Sequence, residues 1–238
     1  MNLRSVKTVI ADVKNVLRYG WDTPLKNQTL WIDPTQITVM IDSSSPGFQD
    51  SILGGGKADR RGDPGRMARR KLRQNSNVLT AGNFDHHTRP LAEDETFQRM
   101  KHKFQHDLSW EEAGFFDWMM ERIAIDGSHD GCRSYDDVVE RYSRLDQLIE
   151  IIRSGQTYAA PTNFATRYGG GDGIFVAVGR EGEIIFCGRG KHRLSIAQSL
   201  AARRIPVCVC AVQELALISG VWQSLNSQSA KLYRDTVN

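Results

Sequence analysis

No stretch of the sequence approaches the ~20 consecutive apolar residues that a bilayer-spanning helix requires, and its first residues carry no apolar signal-peptide core. A cytoplasmic chain with no membrane partner is therefore expected. Cysteine is scarce: Cys132, Cys187, Cys208 and Cys210 are the four. They form no C-x-x-C pair and no His/Cys cluster with zinc spacing, so no metal site is assigned. Cys208 and Cys210 stand two apart in an apolar run, which as a strand puts both on one face, as buried reduced thiols. An excess of one charge is lacking too. Thirty-one basic and 28 acidic residues leave a net charge of +3, too mild to mark a nucleic-acid binder by itself. The phosphate loop G-x-x-x-x-G-K-[ST] is absent, and there is no internal repeat.

What is present suffices for a packed core. The chain has 238 residues, 40% hydrophobic and 25% charged, enough for one large domain or two small ones. Val6, Val9, Ile10, Val13, Val16 and Leu17 recur at helical spacing, which predicts an amphipathic helix in region 1–28, ending near Gly20 and packed by that face on the domain. Thr29–Ile32 and Ile37–Ile41 read as the first strands, within 29–42.

A loop and helical insertion is expected over 43–134, opening with Ser43–Ser45, Pro46 and Gly54–Gly56. From Lys57 to Arg73 eight basic residues meet two acidic ones, with no apolar periodicity. That reads as a solvated loop, with a helical turn open to Met67–Leu72. Nucleic-acid contact is the sharper reading, since clustered arginines release counterions from a polyanion, but no aromatic residue interleaves them and it is not favoured. Phe97, Met100, Lys101 and Phe104 have helical spacing. Trp110–Ile123 reads as a second helix with Ser109 as N-cap and Glu112 as its capping-box partner.

Tyr135–Ser154 predicts a third helix ended by Gly155, opening a core over 135–213. Ile174–Val178, the turn Gly179–Gly182 and Glu183–Cys187 read as a hairpin. A loop, a helix Lys191–Arg203 and a last strand Ile205–Val212 follow. Residues 214–238 read as a C-terminal tail with no helix-turn-helix pattern.

The informative stretch runs from Ile184 to Cys210. Gly188 and Gly190 permit positive φ and close backbone approach to a ligand. Arg189 lies between them, and Lys191, His192 and Arg193 fall in the first helical turn. Cations oppose the dipole there by a few tenths to ~1 kcal/mol each, so three in succession call for an anion. Arginine grips phosphate bidentately and lysine as a point charge. Gly188, Arg189, Gly190, Lys191, His192 and Arg193 are thus the expected phosphate-binding residues.

The run I-F-V-A-V-G-R-E-G-E-I-I-F-C-G-R-G-K-H-R-L-S-I-A with the following I-P-V resembles the ParB/sulfiredoxin-like superfamily, in which a hairpin feeds a G-x-H-R turn, a helix and a strand beginning I-P-V. Trp31–Pro34 through Ile37 is similar to the family's first strand, and 145–155 to its helix before the hairpin. The resemblance implies an α+β fold: a small mixed-sheet α/β domain with a large helical insertion. It also implies a nucleotide ligand (ATP, ADP or CTP), with Mg²⁺ as the usual phosphate clamp. Partition ParB proteins bind CTP through this turn, and free serine kinases of the family hold adenine-nucleotide phosphates there. Sulfiredoxin places a cysteine directly before its His-Arg; here that residue is Lys191, with Cys187 four residues earlier, so its chemistry is not expected. Chromosome partitioning is not expected either, because only about 25 residues follow Val212.

Phosphoryl transfer adds a carboxylate to accept a proton. Asp85, in Gly82–Arg89 with His86 and His87, is the first choice; Asp42 and Asp172 are others. His192 suits either a general acid or base near neutral pH or a neutral donor to phosphate. Three functions remain open: a small-molecule kinase or nucleotide hydrolase, a nucleotide-gated module with a small-molecule or protein partner, and a nucleic-acid binder or nuclease using Lys57–Arg73.

Overall fold

The computed structural model describes residues 3–53, 64–74, 78–154 and 173–237. Its centre is a mixed seven-stranded sheet: β1 (Thr29–Ile32), β2 (Val39–Ile41), β3 (Leu79–Thr80), β4 (Thr88–Pro90), β5 (Ile174–Val178), β6 (Ile184–Phe186) and β7 (Ile205–Gln213). The strand order is β1-β7-β5-β6-β2-β4, with β3 also paired to β7. β5–β7, β2–β6 and β3–β7 are parallel; β1–β7, β5–β6 and β2–β4 are antiparallel. The mixed α/β class is therefore as expected. β3 and β4 come from 43–134, so that region supplies sheet strands as well as helices.

Strand alternation divides the core. Ile174, Val176, Val178, Ile184 and Phe186 face one side, and Phe175, Ala177, Ile185 and Cys187 the other. On the second face lie α2 (Pro46–Leu53) and α3 (Pro64–Gln74), which bury Phe48, Ala68 and Leu72 against Cys187, Cys208 and Cys210. All four thiols are free and buried. On the first face Leu194 and Ala197 of α7 (Lys191–Ser199) pack beside Phe97 of α4 (Glu95–Gln105). Beyond α7 a third cluster joins Ile196 to α5 (Phe115–Asp126) and α6 (Tyr135–Arg153) through Phe115, Met119, Val138 and Tyr142. The order of layers is α2/α3, sheet, α4/α7, α5/α6.

Four readings of the sequence change. The basic stretch expected as a loop is helix α3 over Pro64–Gln74; Ala68 and Leu72, one turn apart, anchor it, a single i, i+4 pair among arginines that does not register as a period. The remainder of Lys57–Arg73, residues 57–63, lies outside the described residues, as do Gly54–Gly56, Gly155 and Asp172. Ser109 and Glu112 do bond reciprocally, at 2.8 and 3.1 Å, yet Gly114 in the left-handed region (φ +72°) delays the helix to Phe115.

The first helix, α1 (Leu3–Tyr19), forms, but Val9, Ile10, Val13 and Leu17 are half or more exposed while Thr8 and Asn15 are buried. Polar tethers turn it this way: Lys26 N–H donates to Asp12 Oδ1 at 3.3 Å, and the Tyr19 hydroxyl bonds Glu214. Finally, the segment after Gln213 is α8 (Glu214–Ile218) and α9 (Val221–Val237). Trp222 is fully buried there, its indole N–H donating to the Asp22 carbonyl at 2.7 Å. Among the described residues no helix is long and apolar enough to cross a membrane.

A cationic cleft as candidate functional site

The two parallel strands β2 and β6 end side by side, Met40 opposite Phe186. Ligands of open α/β sheets collect outside such carboxyl ends. From β6 the chain passes Cys187, turns at Gly188 (φ +76°) and Gly190 (φ +84°), and enters α7. The two glycines have different reasons. A Cβ on Gly190 would lie 2.5 Å from the Gly173 carbonyl oxygen, so this glycine permits backbone to pass backbone. A Cβ on Gly188 would meet the Arg69 side chain at 3.3 Å. Gly190 caps α7 without a side chain, so the helix start carries no side-chain cap from its N-cap residue.

Around this turn lies a cleft of about 1110 Å³, somewhat larger than most ligand pockets. All six expected phosphate-binding residues, Gly188 to Arg193, line it. Four further elements bring charge. From α3 come Arg69 and Arg73, the latter donating from Nη1 to the Cys187 carbonyl at 2.6 Å. β4 adds Arg89. Trp118, Arg122 and Asp126 form one row of α5 at i, i+4, i+8, and Arg141 and Arg144 one row of α6. Among the described residues eight arginines and Lys191 face Asp94, Asp126 and Asp130, a formal excess of six positive charges.

Part of that charge is already engaged. Lys191 Nζ lies 2.9 Å from Asp94 Oδ2, which also takes Arg89 at 3.3 Å; Asp94 Oδ1 accepts from Thr96 N–H at the start of α4. Lys191 therefore ties the turn to α4. Arg141 donates to both the carbonyl and the carboxylate of Asp130, each at 3.0 Å. Arg189 lies over the Phe175 ring, 5.7 Å from its centroid.

The His192 side chain behaves differently from its neighbours. It is 6% exposed, packs against Phe115 and Tyr142, and pairs Nε2 with the Tyr142 hydroxyl at 3.3 Å. Burial first, then the charge of Arg141, pushes its pKa down to about 4. The imidazole is thus neutral at pH 7, joined to α6 through Tyr142 and with Nδ1 4.0 Å from Asp130 Oδ2, a state that suits a neutral hydrogen-bonding group rather than a proton donor near neutrality.

The structure places Asp85 apart from this turn. It does not line the cleft but sits at the hairpin turn, its side chain 2% exposed, accepting from Arg180 N (3.0 Å), Nε (2.7 Å) and Nη2 (3.0 Å). Burial would raise its pKa; the Arg180 hydrogen bonds outweigh this and hold it below the usual carboxylate range. Asp42 is likewise outside the cleft lining and accepts from Ser44 N–H at 3.0 Å in a local turn. His87 contacts Ser45 Oγ at 3.1 Å through Nδ1. Among the described residues the acids lining the cleft are Asp94, Asp126 and Asp130.

Sequence reasoning missed α3, α5 and α6 as cleft walls. Their arginines repeat three or four residues apart, a weak signal that becomes informative only when those helices meet the turn. Compared with protein-family models, curated proteins and solved structures, the chain matches none.

Proposed function

We propose that this chain is a nucleotide-binding protein of the ParB/sulfiredoxin-like type, holding the phosphates of ATP, ADP or CTP at Gly188–Arg193. One observation carries the reading: nine cationic side chains from five parts of the chain converge around a helix start that has no side-chain cap. A protein interior gains nothing from such crowding, whereas a phosphate chain reverses its sign.

The activity that suits this cleft is Mg²⁺-dependent phosphoryl transfer or nucleotide hydrolysis, as in a small-molecule kinase. Asp126 and Asp130 take the place of Asp85 as the acids for proton transfer or Mg²⁺ contact. Phosphate release from ATP and CTP, measured with and without Mg²⁺, tests it. Turnover abolished by Arg193→Ala and by Asp126→Asn is the expected result; tight binding without turnover on any acceptor contradicts the enzymatic reading.

A second reading rests on the ties Lys191–Asp94 and His192–Tyr142, which link the turn to α4 and α6. A nucleotide competing for Lys191 would loosen α4, making the chain a nucleotide-gated module. Hydrogen exchange across 97–154 with and without ATP tests this; an unchanged profile excludes it.

A further inference from the structure

Helix α1 lies on the domain with its apolar stripe turned outward, where an amphipathic helix ordinarily buries that stripe. Thr8 and Asn15 are the buried positions, and polar contacts fix that side. Asp12 accepts from Lys26 N–H, the Asn15 carbonyl accepts from the Thr23 hydroxyl at 3.4 Å, and the Tyr19 hydroxyl donates to Glu214. Val9, Ile10 and Val13 are left half exposed, and Leu17 is 82% exposed. Beyond the turn at Gly20 (φ +94°), Trp21 is 92% exposed. Its backbone is anchored on both sides: the Gly20 carbonyl accepts from the Thr23 hydroxyl at 2.6 Å, and the Asp22 carbonyl from the Trp222 indole at 2.7 Å. A large apolar ring thus stands out from a fixed turn.

The charge beside this stripe is of one sign. Lys7, Lys14 and Arg18 recur seven and four residues apart along its border, and all three are exposed. Arg18 also reaches Glu214 at 3.7 Å. Asp12, the acid of α1, lies on the tethered side, and Asp22 beside Trp21 is the next acid in sequence. The stripe is small for a protein partner. Val6 to Leu17 spans roughly 17 Å, and a helix face about 10 Å wide then offers on the order of 170 Å², against roughly 800 Å² per partner in a stable complex. Pairing with a second copy would also bring lysines against lysines. A lipid surface needs neither that area nor a matching pocket. Apolar side chains enter the acyl boundary, lysine and arginine reach the headgroups, and tryptophan favours the level between.

We infer that α1 and Trp21 seat this protein on an anionic lipid surface, with Val9, Ile10, Val13 and Leu17 toward the acyl chains and Lys7, Lys14 and Arg18 toward the acidic headgroups. The expectation of no membrane partner rests on the lack of a spanning helix, which attachment by one face of one helix does not need. The seating is independent of what the cleft binds.

Co-sedimentation of the full chain with vesicles of phosphatidylcholine alone, and with vesicles of phosphatidylcholine and phosphatidylserine, tests the inference. Binding to the mixed vesicles is at least tenfold tighter, as expected of several cations near an anionic leaflet. Leu17→Ser combined with Trp21→Ser abolishes binding and leaves the thermal midpoint unchanged, because both side chains are exposed. Lys7→Gln combined with Lys14→Gln brings the mixed vesicles down toward phosphatidylcholine alone. A blue shift of tryptophan emission on adding mixed vesicles disappears in Trp21→Phe, which places that ring in the lipid. Absence of binding to the mixed vesicles, or equal binding to both kinds, overturns the inference. So does binding that survives the Leu17 and Trp21 replacements, which would assign it to the arginines of the cleft. A concentration-dependent dimer in sedimentation velocity, dissolved by the same replacements, assigns the face to a second copy and overturns it too.

Discussion

Arg73 and Cys187 are 114 positions apart, yet a 2.6 Å hydrogen bond joins the guanidinium of one to the carbonyl of the other. The bond fastens a basic helix to the last residue before the Gly188–Gly190 turn. It also fixes Arg69, one turn earlier, beside Gly188. A hydrogen bond from a charged donor is worth about 1.5–3 kcal/mol. Arg73→Ala should lower stability by that amount in urea titration, and weaken nucleotide binding by tenfold or more. Unchanged stability would show that α3 is held by Ala68 and Leu72 alone.

The two glycines of the turn should respond unequally to alanine. Both occupy the left-handed region, which costs an L-residue about 1–2 kcal/mol. Gly190→Ala adds a collision with the Gly173 backbone, which cannot swing away, so it should be the more destabilising change. Gly188→Ala presses on a flexible arginine and should show its effect on ligand affinity. Thermal unfolding and calorimetry on the pair separate these outcomes. Equal loss of stability would contradict the assignment.

Asp85→Asn should act on the fold alone. The neutral amide keeps the shape but weakens three hydrogen bonds from Arg180, at about 1–3 kcal/mol. Nucleotide affinity measured well below the melting temperature should not change. A loss of turnover with intact stability would restore Asp85 to the chemistry.

The neutral, buried His192 gives stability a pH dependence. Its pKa falls from the ordinary 6.5 to about 4 on folding. Between those values the unfolded chain binds a proton that the folded chain refuses, so stability is full above pH 6.5 and declines as pH falls toward 4. The lost stability is of the order of 3 kcal/mol. His192→Phe, which can pack among Phe115 and Tyr142, should flatten this part of the stability profile. An equal slope in the variant would assign the effect to other groups.

How much of this was legible follows from the range of each signal. The hairpin β5–β6, the start of α7 and the strand β7 were readable because each is written in neighbouring residues: alternating apolar positions, Gly179–Gly182, the glycines before Lys191. The placing of Gly188–Gly190 as a turn ahead of Lys191 followed from the same local logic. The end of α7 was not readable, since the helix stops at Ser199 and Ala201 turns left-handed (φ +49°) where the helix was expected to run on to Arg203. Other features depend on distant partners. Asp85 looked chemical beside His86 and His87 because Arg180, 95 positions away, was invisible as its mate. The stripe on α1 reported an apolar face but not what would cover it. The cleft itself is the sharpest case, since residues 69, 89, 122, 141 and 193 share no sequence window.

Convergence of those cations on a bound phosphate chain is best tested by thermal unfolding against nucleoside diphosphates and triphosphates, with and without Mg²⁺. At ~100 times the dissociation constant a ligand adds roughly 2.7 kcal/mol, a rise of about 5–10 °C for a chain of this size. The expected result is a rise of that order for at least one nucleotide, lost when Arg69 and Arg193 are both replaced by alanine. A midpoint unmoved by every nucleotide, or moved equally in the double variant, would contradict the account.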